Sequence, residues 1–231
     1  MSQRIENAPR FADIRPTRTD KLLKLAENGF DGLQWYAIAE REISRICKLE
    51  HWNIERFVSV LAITSPRCAV RRNVRNTLQF MATGALLDNT LGAIRVSLDN
   101  YLDSGKISGQ KISAFRDALL GDTTAVVLDV HMANALCVPQ SGFSNKILRE
   151  RCTQRVVRVA DRLNVAPRDA QACLWYGAMR EANRKPDKFP LLWEYGNFRA
   201  YGGSFPTQGT IRQFGYRDGS YQRALFDKRR S

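Results

Sequence analysis

"ISGQKISAFRDALLGDTTAVVLDVHMANAL", residues 107–136, sets an aspartate, Asp129, inside an apolar run and contains one of the chain's two histidines, His131. A buried carboxylate is unfavourable unless it is paired or used. Lys111 stands 18 residues before it, just after Gly109 and Gln110. Each residue has two readings. Asp129 is either the N-cap of a helix beginning at "VHMANAL" or a chemical group. Lys111 is either a surface lysine that meets a phosphate or a nucleophile.

Helical periodicity continues outward from this stretch, from about residue 18 to 185. "TDKLLKLAENG" reads as a helix stopped at Gly29. "DGLQWYAIAEREISRICKLE" follows, with Asp31 as its N-cap and Trp35, Ile38, Ile43 and Ile46 as its apolar stripe. "NIERFVSVLAIT" is apolar nearly all round, which predicts a central buried helix. "SPRCAVRRNVRNTLQFMATG" is read as starting at Ser65-Pro66 and ending at Gly84. "NTLGAIRVSLDNYLDSG" closes at Ser104-Gly105, and "KISAFRDALLGD" and "TAVVLDVHMANALCV" come next. "SNKILRERCTQRVVRVADRLNV" and "APRDAQACLWYGAMREANR" complete the set, the last with Pro167 near its start. Alternating β-branched runs are missing. The fold class is therefore all-α, with eight to ten helices. Residues 1–194 are expected to form the helical body, divisible into two lobes, and 195–231 an irregular extension.

The 231 residues carry 36 basic and 23 acidic side chains, a net charge of +13. That excess favours a polyanionic partner, and nucleic acid is the usual one. The cysteines at 47, 68, 137, 152 and 173 are odd in number and irregularly spaced. They predict reduced thiols, with Cys137 and Cys173 in the core. No C-x-x-C pair suggests a zinc site. No apolar run is long enough for a membrane span, and the first thirty residues carry no secretory pattern, so a cytoplasmic location is expected.

Several chemistries are excluded by spacing. "SGKISGQKIS" lacks the interval of a phosphate-binding P-loop. No G-x-S-x-G, H-E-x-x-H or calcium loop is present, and two histidines are too few for a histidine-based metal site. Two basic stretches remain. Arg67, Arg71, Arg72 and Arg75 lie within nine residues, with positions 68, 71, 72 and 75 on one helical face. Lys146, Arg149, Arg151, Arg155 and Arg158 form the second. Each is either a phosphate-facing stripe or a solvated surface. Trp175 reads as core rather than as a base-stacking residue. Residues 195–231 hold six glycines, eight aromatics and seven basic residues. Such a tail can stack on bases, or it can dock its aromatics on the helical body.

The pair "ISGQKISAF" and "AVVLDVHM" resembles the helix–hairpin–helix DNA glycosylase superfamily, its 8-oxoguanine glycosylase branch above all. In that branch a hairpin ending Gly-x-Lys opens a helix, and an apolar stretch leads to Val-Asp-x-His. "FVSVLAITSPRCAVRRNVRNTL" is similar to the family's buried helix and the turn that wedges into DNA. "LAITSPRCAVRRN" also resembles phage-encoded members, for which the host cytoplasm or nucleoid would be the site of action. The resemblance spans roughly residues 50 to 180. It implies that Lys111 is the nucleophile and Asp129 its electrostatic partner, with the aspartate able to cap a helix as well. It implies DNA contacts from Gly109, Gln110, Ser65, Arg67, Arg71, Arg72, Arg75 and His131, though His131 by itself reads as structural.

The resemblance implies a monomeric enzyme acting on double-stranded DNA with a modified or damaged base, without metal or other cofactor. It would flip the base and excise it, with AP-lyase activity if an imine forms. A carboxylate near C1′ stabilises the positive charge that develops on the sugar. A lysine at a helix start loses its proton more readily. The hairpin departs from the family's two-glycine pattern, with Ile107 where the first glycine stands. Cys152 and Cys173 are too few and too far apart for the iron–sulfur cluster of some relatives. Two other classes remain open: a phage-type enzyme that hypermodifies thymine on a related fold, and a non-catalytic DNA-binding module.

Overall fold

The computed structural model describes residues 11–88, 90–186 and 188–205, and every regular element among them is helical. Ten α-helices follow in order: α1 (Thr19–Asn28), α2 (Trp35–Glu50), α3 (Ile54–Ile63), α4 (Val70–Thr83), α5 (Gly92–Ser104), α6 (Gln110–Leu119), α7 (Val130–Leu136), α8 (Lys146–Leu163), α9 (Pro167–Glu181) and α10 (Leu191–Ala200). Their ends follow local chemistry. The side chains of Asn53, Asp129 and Asn145 accept amides in the first turns of α3, α7 and α8. Pro167 occupies the first turn of α9. Gly84 and Gly105 close α4 and α5 in the left-handed conformation.

The chain divides into two compact units. Of the described residues, the first takes in those up to Glu40 together with those of Gly109–Lys188; the second takes in those of Arg41–Ser108 and those from Phe189 to Phe205. Helix α2 therefore contributes its first residues to one unit and the remainder to the other.

In the first unit α9 is central, with α1, α7 and α8 packed on it. Leu22, Leu25, Met132, Leu136, Leu148, Val156 and Leu174 fill this core. The contact of α1 with α9 is a backbone contact. A Cβ on Gly177 would overlap the Leu25 carbonyl, and one on Gly29 would overlap the Cys173 carbonyl.

In the second unit α3 is buried from Phe57 to Ile63, and α4 and α5 pack on it while α10 packs on α4. The last carbonyls of α3 are orphans of helix geometry. One of them is satisfied from the side, Asn73 Nδ2 of α4 donating to Leu61 O at 3.0 Å, while Thr64 Oγ1 joins its own backbone N–H on Val60 O at 2.8 Å. This accounts for polar residues on the buried face of α4.

Several sequence expectations change. Asp31 does not cap α2; it lies in a 3-10 turn, Phe30–Gly32, and accepts a 2.7 Å hydrogen bond from Arg180 Nη2. Ser65-Pro66 form a turn ahead of α4, which starts only at Val70. The apolar run before Asp129 is not helical, and α7 is confined to Val130–Leu136. Cys137 is exposed, in the left-handed position that ends α7, whereas Cys173 is buried. Burial pushes the Cys47 and Cys173 thiols up to about 12 and Cys152 up to about 11. Residues 195–200, read as the start of an irregular tail, belong to α10. Phe198 and Phe205 are buried and pack inward, while Tyr195 and Tyr201 are half-buried. The remainder of the tail, from residue 206, lies outside the described residues.

Candidate functional site

Helices α5 and α6 are joined by residues 105–109, with Gly105 at φ +69° and Gly109 at φ +95°. Both angles favour glycine. Ile107, where the resembled family has a glycine, is not in that region. Gly109 leads directly into α6 without a side-chain cap, and Gln110 and Lys111 form its first turn. Lys111, half-buried, lines a cavity of about 640 Å³ in the first unit. Gln110 and Ala114 share the α6 wall, Val126 and Leu128 come from the segment before α7, and Phe143 from the 3-10 turn Gln140–Ser144. Helix α8 closes the cavity with Lys146, Arg149, Glu150 and Thr153. Three cationic side chains and one carboxylate thus meet an apolar surface, where charges interact more strongly than in bulk water.

Asp129 follows Leu128, one residue beyond the wall that Lys111 shares. Its Oδ1 accepts the His131 and Met132 amides, both at 2.9 Å. Among the described residues nothing donates to Oδ2. One oxygen therefore serves the helix and the other is left to interact. The carboxylate also lies close enough to Tyr36 to act on it: burial, then the Asp129 charge, raise the Tyr36 hydroxyl far above its ordinary value. Tyr36 remains a neutral donor, to Gln171 Oε1 at 2.9 Å.

An aromatic group and an arginine hold the two motif helices. Trp175 of α9 meets the His131 ring of α7 edge-on at 5.9 Å, and Trp35 lies against both Trp175 (6.3 Å) and Phe115 of α6 (6.2 Å). Trp175 is half-buried. Buried Arg168 donates to Ala118 O, one of the orphan carbonyls at the C-terminal end of α6, at 2.7 Å. It also pairs with Glu40 and lies 5.2 Å from the Tyr36 ring centroid. Sequence reading missed Arg168, Tyr36 and Gln171, whose partners are far away in the chain. It noted Lys146 and Arg149 as part of a basic helix; their i, i+3 spacing at the start of α8 was the available signal.

The residues considered for DNA are divided between the two units. Gly109, Gln110, Lys111, Asp129 and His131 belong to the first unit, whereas Ser65, Arg67, Arg71, Arg72 and Arg75 belong to the second. Within that second unit the arginines have intramolecular partners. Arg71 pairs with the fully buried carboxylate of Glu194, and Arg75 Nε lies 3.3 Å from the other oxygen of that group. The Arg75 guanidinium also sits 4.5 Å from the Phe205 ring centroid. Arg72 donates to the Asp88 carbonyl at 2.8 Å. Arg67 is exposed in the turn before α4, at φ +53°.

The chain belongs to a family of unknown function, DUF7178, whose model matches residues 25–183. The matched span contains both Lys111 and Asp129. No curated protein and no solved structure matches the chain. Among the described residues no group of His, Cys, Asp and Glu is placed to hold a metal ion, and no helix is long and apolar enough to cross a membrane.

Proposed function

We propose that this chain is a helix–hairpin–helix DNA glycosylase that excises a modified or damaged base, with Lys111 as nucleophile and Asp129 as the charge that stabilises the sugar. The observation that carries this reading is the state of Asp129: Oδ1 is committed to the start of α7 while Oδ2 accepts nothing among the described residues, one residue from the cavity that Lys111 lines. The glycine-dependent turn leading into Lys111 supports it as well.

The chemistry proceeds in a definite order. The base must first leave the duplex stack. The bond from C1′ to the base then breaks, the electron pair departs with the base, and the base takes up a proton. Positive charge gathers on the sugar, where the Asp129 carboxylate stabilises it. Neutral Lys111 bonds to C1′ through Nζ; loss of a proton and ring opening give an imine.

The test is borohydride trapping on duplexes that each carry one modified base. A reduced covalent complex that disappears with Lys111→Gln is expected. If no duplex yields such a complex or any free base, and the protein is folded, the reading is wrong. A heavier nucleoside retained in the DNA would instead identify a base-modifying enzyme.

A further inference from the structure

We propose that α8 supplies the phosphate clamp of the DNA site, with Lys146 and Arg149 holding a backbone phosphate of the strand whose nucleotide reaches Lys111. This rests on the reading of Lys111 given above and extends it to residues which that reading does not use.

Several observations converge on α8. Of its basic residues, only Lys146 and Arg149 line the cavity shared with Lys111. Arg155 is committed to Thr19 Oγ1 at 3.0 Å, and Arg158 is exposed away from the cavity. Arg149 is half-buried, and its Nη1 donates to the Phe143 carbonyl at 2.9 Å. That bond fixes the guanidinium and leaves its remaining donors unengaged among the described residues. A pre-positioned guanidinium suits a phosphate, which accepts two of its N–H groups at once. Lys146, exposed on the first turn, makes no hydrogen bond or ion pair among the described residues. The two residues lie three apart, on one face of α8. The partial positive charge at the start of an 18-residue helix adds to theirs. Glu150 is the one carboxylate on the cavity wall, against three cations.

The arginines of α4 contrast with this arrangement. Arg71 and Arg75 share the buried carboxylate of Glu194. A phosphate approaching them would have to compete with groups already in place. Neither Lys146 nor Arg149 pairs with a carboxylate among the described residues, and the Phe143 carbonyl takes only one of the Arg149 donors.

Duplex affinity measured over a salt series tests the clamp. Each phosphate contact contributes about 0.9 to the slope of log K against log salt. The double variant is expected to lower the slope by about that amount, and Lys146→Gln and Arg149→Gln each by part of it. Arg158→Gln removes the same charge from the same helix away from the cavity and should leave the slope unchanged. Lys146 is exposed, so its variant folds even if Arg149→Gln disturbs the turn it holds. An unaltered slope for Lys146→Gln overturns the clamp, and so does an equal fall for Arg158→Gln, which would be a net-charge effect. Failure of the enzymatic reading looks different: the clamp variants lower the slope, yet the wild-type chain neither forms a Lys111-dependent trapped complex nor releases base. Failure of wild-type protein to bind duplex at all would overturn both.

Discussion

Asp129 combines a cap and a charge in one side chain, and substitution can separate them. Asparagine caps helices about as well as aspartate, so Asp129→Asn should leave urea-unfolding stability within ~0.5 kcal/mol of wild type. Base release should nevertheless fall about a hundredfold or more, the scale on which losing one preorganised electrostatic group reduces a rate. Asp129→Ala should lose the same activity and about 1 kcal/mol of stability besides. Equal activity of wild type and Asp129→Asn would leave the residue a cap alone. Glu194 presents a different case, a buried carboxylate hydrogen-bonded by Arg71 through Oε1 and facing Arg75 Nε at 3.3 Å through Oε2. Removing one partner of a buried pair strands the other, so Arg75→Ala should cost about 3 kcal/mol in urea unfolding. Arg71 is more than half exposed, and its loss should cost about 1 kcal/mol or less.

Helices were legible in this sequence where their signals are local. Gly29, Gly84 and Gly105 stop α1, α4 and α5, Pro167 starts α9, and Asn53 caps α3. The same logic failed where a distant partner decides. Asp31 has the residue type of an N-cap, but Arg180 across the unit takes its carboxylate. The apolar residues before Asp129 have no helical signal against them, yet Val127 and Leu128 are buried in an extended segment that feeds α7. The crossing of α1 on α9 was invisible for the same reason: nothing near Gly177 reveals that the Leu25 carbonyl lies against it. Because the obstacle there is backbone, Gly177→Ala should destabilise the chain by about 3 kcal/mol, at the upper end of overpacking effects. Gly109→Ala meets no such obstacle but must hold φ +95°, and should cost about 1–3 kcal/mol. Chemical denaturation of the purified variants would check both values.

Across the whole molecule, the fold class was legible and the sharing of charges was not. A net charge of +13 does not say which basic residues are already paired within the fold. The contrast between α4, where Arg71 and Arg75 face Glu194, and the start of α8, where Lys146 and Arg149 line the cavity, required contacts spanning more than a hundred residues, such as Arg71 with Glu194. The pH dependence of stability shows the same kind of coupling. Asp169 has its pKa raised, chiefly by burial, with Arg168 opposing. The folded chain therefore holds this proton more tightly than the unfolded chain. The resulting stabilisation is complete below the unfolded value of about 3.9 and disappears as pH rises through the raised one. Asp169→Asn should accordingly gain stability relative to wild type at neutral pH and lose that advantage on acidification, as thermal melts at several pH values would show.

The exposed Cys137 has a practical consequence. It ends the short helix that Asp129 begins, while Cys47, Cys152 and Cys173 are shut inside the core. Once the half-buried Cys68 is replaced by serine, a maleimide fluorophore should attach at Cys137 alone, as peptide mass mapping would verify. The sequence thus carries its own reporter position, two helical turns from the proposed catalytic carboxylate, at which the proposed DNA engagement would be read in real time.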